Sequence, residues 1–173
     1  MWRSVTNQID SVSALRVLFD VSEHIDLPSE GLGEPFVQHW CSASLLAQSK
    51  LDLDDVSDIE ISVQLVDLST IQTLNLQYRG KNTPTNVLSF NSDMPMLPGG
   101  FMALGDLVLC PDVVQREARE QEKALNDHWA HLLVHGTLHL CGYDHVELNQ
   151  AEAMESMEIR ILSESGISDP YLV

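Results

Sequence analysis

Apolar and polar positions change period several times along this chain, and each change marks an element. In DIEISVQLVD (58–67), Ile59, Ile61, Val63 and Leu65 alternate with polar residues, which predicts a half-buried strand. VLFDVS (Val17–Ser22) is apolar and β-prone and reads as an earlier strand; residues 1–14 before it are polar and aperiodic, an N-terminal extension. Between them, DLPSEGLG is a turn-rich loop. EPFVQHWCSASLLAQS then sets Phe36, Trp40, Ala43, Leu46 and Ala47 on one helical face, with Pro35 in the first turn.

STIQTLNLQYRG reads as a short helix, capped by Asp67 or Ser69 and ended by Gly80. NVLSF and LGDLVLC are two further strands, separated by the loop NSDMPMLPGGF. Pro111 and Asp112 open a helix that runs polar through QREAREQEK. Asn126 or Asp127 caps another, which reaches about Cys141 and stops at Gly142. A last helix sets Ala151, Met154, Met157, Ile161 and Leu162 on one face. This order predicts a single α+β domain over residues 1–173, with a small mixed β-sheet covered by helices.

Composition narrows the setting. The chain is 44% hydrophobic and 20% charged, as an ordinary globular domain is. Its formal net charge of −17 argues against a broad basic nucleic-acid footprint, although not against a local cationic site. Cys41, Cys110 and Cys141 form no CxxC and are odd in number, which favours a reducing compartment over a disulfide framework. No signal-peptide pattern opens the sequence, and no run approaches the ~18 apolar residues of a membrane span. A soluble, cytoplasmic protein is expected.

The chemistry concentrates in HLLVHGTLHLCGYDHVE (131–147), which holds four of the seven histidines. His135 and His139 lie four apart and share a helical face. Gly142 permits a sharp turn, after which His145 folds back as a third ligand. Three neutral imidazoles suit one Zn²⁺ and leave its fourth position for water. Other divalent ions also accept such a set. His128 and His131 fall on the same stripe, since positions 128, 131, 135 and 139 span only about 80°. The returning ligand meets the helix end, so His131 reads as a neighbour of the site and His128 as exposed. His24 and His39 are isolated.

HGTLHLCGYDH also invites comparison with the metzincin protease pattern HExxHxxGxxH. Every fixed position matches except one: Gly136 stands where those proteases keep the glutamate that takes the proton from zinc-bound water. The zinc grip survives this change, while peptide hydrolysis loses its proton acceptor.

A second cluster, YRGKNTPTNVLSF (78–90), holds Arg79 and Lys81, two of only nine basic residues. A guanidinium presents a rigid fork suited to phosphate or carboxylate. Thr83, Thr85, Asn86 and Ser89 add neutral hydrogen-bonding groups, which read equally well as a polar loop entering a strand.

Together the segments LNLQYRGKNTPTNVLSF, LGDLVLC, HWAHLLVHGTLHLCGYDH and GISDPYL resemble the YbeY family of bacterial endoribonucleases, over roughly residues 17 to 172. The resemblance implies an α+β fold with a zinc-bearing helix, ligands His135, His139 and His145, and a catalytic arginine at Arg79. It also implies processing of the 3′ end of small-subunit rRNA and a part in ribosome quality control. On that basis Lys81 holds a neighbouring phosphate, and Asn86 and Ser89 line the substrate groove. Asp144 either orients a ligand imidazole or caps the turn.

No side chain in either cluster is an evident general base, so attack by water and attack by a 2′-hydroxyl both stay open. The acidic surface steers RNA poorly at long range. Delivery on ribosomal particles by partner proteins is therefore expected. Two other classes stand beside this reading: a ribosome-associated assembly factor with a mainly structural zinc, and a metzincin-like hydrolase with another base.

Overall fold

The alternating strand at 58–67 lies inside a four-stranded sheet of order β1-β2-β4-β3. In the computed structural model, which describes residues 14–23, 25 and 32–172, the strands are β1 (Ala14–Val21), β2 (Asp58–Leu65), β3 (Val87–Asn91) and β4 (Phe101–Leu109). β1, β2 and β4 run parallel, and β3 pairs antiparallel with β4 along one edge. The helices are α1 (Glu34–Ala47), α2 (Leu68–Arg79), α3 (Pro111–Glu120), α4 (Leu125–Leu140) and α5 (Leu148–Glu164). The fold is α+β with a small mixed sheet.

The two sheet faces differ. Ile59, Ile61, Val63 and Leu65 of β2, with Leu107 and Leu109 of β4, bury one face against a core that includes Trp40, Trp129, Leu133 and Leu162. This large core joins α1, α4 and α5 to the sheet. A smaller core on the other face joins Leu88 and Val108 to Ile71 of α2 and Val113 of α3. Period-two alternation therefore survives in parallel strands, because residues such as Glu60 and Gln64 on the second face are not fully buried.

Local chemistry explains several element ends. Asp67 accepts the Thr70 N–H at 2.7 Å and starts α2. Gly80 ends it in the left-handed region at φ 69°. α4 differs from the sequence expectation, because it begins at Leu125 with Ala124 as N-cap and has no side-chain cap from Asn126 or Asp127. α1 is also rotated from the expected stripe: Val37, Trp40, Cys41, Ser44 and Leu45 are buried, while Leu46 is exposed. Ser44 tolerates burial because its hydroxyl donates to the Trp40 carbonyl at 2.8 Å.

β1 begins at Ala14, three residues before the expected start, and β4 begins at Phe101 rather than Leu104. Residues 1–13 of the expected extension, most of the DLPSEGLG loop and His24 lie outside the described residues. Among the described residues, no helix is long and apolar enough to cross a membrane.

Gly105 lets β3 and α4 both close on β4. A Cβ there would stand 2.2 Å from the Phe90 carbonyl oxygen and 2.9 Å from Leu140 Cδ2, with φ at +147°. Because backbone and core both resist, Gly105→Ala is expected to cost about 3 kcal/mol. Urea unfolding measures this, and an unchanged midpoint would show that β4 relaxes freely.

Candidate metal centre and nucleic-acid cleft

α4 presents three of the clustered histidines by helical spacing, and its C-terminus supplies the turn that returns the fourth. The Gly142 N–H donates to the His139 carbonyl at 2.9 Å, and the Tyr143 N–H to the Leu138 carbonyl at 3.0 Å. Those two bonds, with Gly142 at φ 88°, close the helix in a Schellman motif. Asp144 Oδ1 then accepts the His145 N–H at 2.8 Å, so this carboxylate fixes the turn backbone. Of its two sequence readings, the structure displays the capping contact.

The ligand nitrogens of His135, His139 and His145 lie within 4.8 Å of one another. Two of the rings are held so that their Nε2 atoms are free. His135 Nδ1 donates to Glu158 Oε1 at 2.7 Å, and His139 Nδ1 donates to the Tyr143 carbonyl at 3.0 Å. Each ring thus engages its Nδ1 inside the protein and leaves Nε2 as the nitrogen that can ligate, which is how a ligating imidazole is oriented from behind. Burial, then the neighbouring His135 and His145, lowers the His139 pKa to about 4. His139 is thus neutral at physiological pH, the state a metal requires. The donor set fits one borderline cation such as zinc.

The thiols do not compete for this ion. Cys41, Cys110 and Cys141 are all buried and free. Burial pushes Cys41 up to about 11 and Cys141 up to about 12, keeping both protonated.

Glu158 is the main feature absent from the sequence reading. It is fully buried on the apolar face of α5, among Met154, Ile161 and Leu162. His131 Nε2 donates to its Oε2 at 3.1 Å, and the Tyr171 hydroxyl donates to the same oxygen. Burial alone would raise this acid, but hydrogen bonds from His131, His135 and Tyr171 hold it at about 2. The one available signal was a carboxylate interrupting an apolar stripe. His131 is accordingly a neighbour that shares Glu158 with a candidate ligand. A second grouping of His131, His135 and Glu158 also has metal-like spacing, but these hydrogen bonds already occupy the facing atoms.

His128 corrects another expectation. It is buried, not exposed, with Nε2 2.9 Å from Glu117 Oε2. Glu117 also accepts from Asn86 Nδ2 at 3.0 Å, and Asn86 Oδ1 accepts the Val87 N–H at 2.7 Å. Both polar ends of Asn86 are therefore engaged within the protein.

Arg79, Lys81, Asn86 and Ser89 line the same cleft as the three histidines, with a volume of about 800 Å³. Arg79 closes α2 at the exposed rim and donates to the Ser89 carbonyl at 3.3 Å. The loop beside it is pinned by Asn75 Nδ2, which donates to the Thr83 carbonyl at 2.7 Å. Ser89 Oγ donates across to the Gly136 carbonyl at 3.3 Å, tying β3 to α4.

Gly136 itself faces the sheet. A Cβ there would stand 2.9 Å from Leu107 Cδ2 and 3.4 Å from Ser89 Oγ. A glutamate at this position would have to enter that packed interface, so the contact of α4 with the sheet disfavours the larger side chain here.

The fold thus brings a histidine cluster that could hold a metal ion beside a cleft lined by Arg79 and Lys81. Residues 32–166 match the family model described as Endoribonuclease YbeY. A protein named Endoribonuclease YbeY from Stenotrophomonas maltophilia (strain R551-3) is 47% identical over 159 residues, covering 90% of this chain and 94% of that one. A solution structure of a Thermotoga maritima protein covers 91% of this chain and 100% of its own, at TM-score 0.48 and 23% identity. The chain belongs to the YbeY family, a family of nuclease-type hydrolases.

The buried carboxylate gives a pH prediction. Glu158 sits at about 2 when folded against an ordinary 4.5, so between these values the unfolded chain binds more protons. Its stabilisation is present above pH 4.5 and is lost as pH falls toward 2, on the order of 3 kcal/mol in all. Urea unfolding of metal-free protein from pH 7 to pH 3 is expected to show this acid slope, flattened in Glu158→Gln. Equal slopes in both proteins would contradict the assignment.

Proposed function

We propose that this protein is a zinc-dependent, single-strand-type endoribonuclease, a single catalytic domain that matures the 3′ end of small-subunit rRNA and takes part in ribosome quality control. The observation that carries the reading is the pairing of two imidazoles restrained through Nδ1, and of His145, with Arg79 in one cleft. His135, His139 and His145 would hold the ion. When bound, zinc would supply Lewis acidity for phosphodiester cleavage.

The protein's own groups do the remaining work. Arg79 binds the scissile phosphate and neutralises charge developing on its oxygens. The Ser89 carbonyl holds the guanidinium at the cleft rim before substrate arrives, which lowers the cost of positioning it. Lys81, exposed on the same rim, takes a neighbouring phosphate. Ser89 keeps β3 registered on α4, and Asn86 keeps the loop registered on α3 through Glu117. Glu158 keeps His135 in the tautomer that ligates.

A local cationic rim on a chain of net charge −17 binds free RNA weakly. Ribosomal particles and their associated proteins therefore present the substrate in the cytoplasm.

Purified protein is expected to carry about one zinc per chain by elemental analysis. Arg79→Ala is expected to keep zinc and fold while cleaving a small-subunit rRNA precursor at least ~100-fold more slowly. Normal cleavage by that variant would remove Arg79 from catalysis. His139→Ala is expected to lose zinc and cleavage together, and full activity of the metal-free protein would exclude the metal role.

A further inference from the structure

The cleft that holds the histidines does not end at Arg79. Arg79, Ser89 and Asn91 also line a second cleft of about 680 Å³. Cross-strand register places the two on opposite faces of the sheet. Ser89 pairs with Leu107, whose face packs on α4, whereas Phe90 pairs with Asp106 on the other face. The clefts therefore meet over edge strand β3, with Arg79 at the crossing.

The second cleft differs in chemistry from the first. Tyr78 is 57% exposed, a high value for so large a ring, and packs edge-to-face on Phe90 with centroids 5.0 Å apart. Leu74 and Val108 add apolar surface, while Asp93 and Asp106 add negative charge. Two carboxylates repel a phosphate on this side. A flat, neutral group is the occupant that an exposed aromatic ring and an apolar floor accept. On the other side of Arg79 lie Lys81 and the histidines, which favour the phosphate. Cation and aromatic are adjacent residues at the end of one helix, so a phosphate and the base next to it can be held together.

We propose that the Tyr78–Phe90 cleft is a base-stacking subsite, which takes the nucleobase adjoining the phosphate held by Arg79 as the RNA strand passes over β3. The subsite rests on the endoribonuclease reading. It makes Tyr78 a residue that selects an unstacked, single-stranded nucleotide, because a base held in a duplex cannot enter the cleft.

The test uses zinc-loaded full-length protein and a short single-stranded RNA that it cleaves, with an abasic nucleotide walked through successive positions. At one position beside the cleavage point, base removal is expected to raise KM about tenfold for the wild-type protein, the scale of one base–aromatic stack. Tyr78→Ala is expected to raise KM by a similar factor on intact RNA and to be insensitive to the abasic site at that position. Tyr78→Phe is expected to retain the wild-type behaviour, while circular dichroism checks that each variant is folded. Unchanged KM in Tyr78→Ala would overturn the subsite, as would an undiminished abasic penalty in that variant. Failure of the wild-type protein to bind or cleave any of the RNAs would instead overturn the endoribonuclease reading, and the subsite with it.

Discussion

An ionised carboxylate inside an apolar core is tolerated only when donors surround it. Glu158 meets that requirement with His131, His135 and the Tyr171 hydroxyl, and its needs organise the site. The three donors come from α4 and from the segment that follows α5. Satisfying one buried charge therefore docks the chain's last turn, fixes α5 against α4, and commits the Nδ1 proton of His135. That commitment leaves His135 Nε2 as the nitrogen available to ligate. His139 reaches the same state by a cheaper route, through the carbonyl of Tyr143 in the turn that Gly142 makes possible.

The second constraint is the closeness of α4 to the sheet. Gly136 lets the helix approach Leu107 and Ser89, and Gly105 lets β4 receive both β3 and Leu140. This proximity sets the histidines beside edge strand β3, where Arg79 reaches the Ser89 carbonyl. The cleft thus forms where a helix end, a sheet edge and a pinned loop meet. Arg79 and Lys81 set two positive groups on that rim of a strongly acidic molecule.

Much of the fold was legible because β2, α2 and α5 have clear periods and α2 carries its own cap and stop in Asp67 and Gly80. The histidine spacing around Gly142 was equally open to reading, since helical geometry alone aligns positions 135 and 139. What escaped was tertiary. Local pattern placed α1's stripe on Leu46, whereas packing buried Ser44 and Leu45. His128 reads as exposed until Glu117 on α3 is brought against it. Glu158 looks like one more acid in an acidic chain, because its donors lie 13 to 27 residues away. That glycine stands at 136 in place of the pattern's glutamate was visible in sequence, but the crowding by Leu107 and Ser89 around it was not.

The proposed function rests on one zinc held by His135, His139 and His145 through imidazole nitrogen, with no thiolate in the shell. X-ray absorption at the zinc edge of the loaded protein tests this most directly. The account predicts three imidazole nitrogens at about 2.0 Å, completed by light-atom ligands from solvent. A sulfur shell near 2.3 Å, or a shell with fewer than three imidazoles, would contradict it.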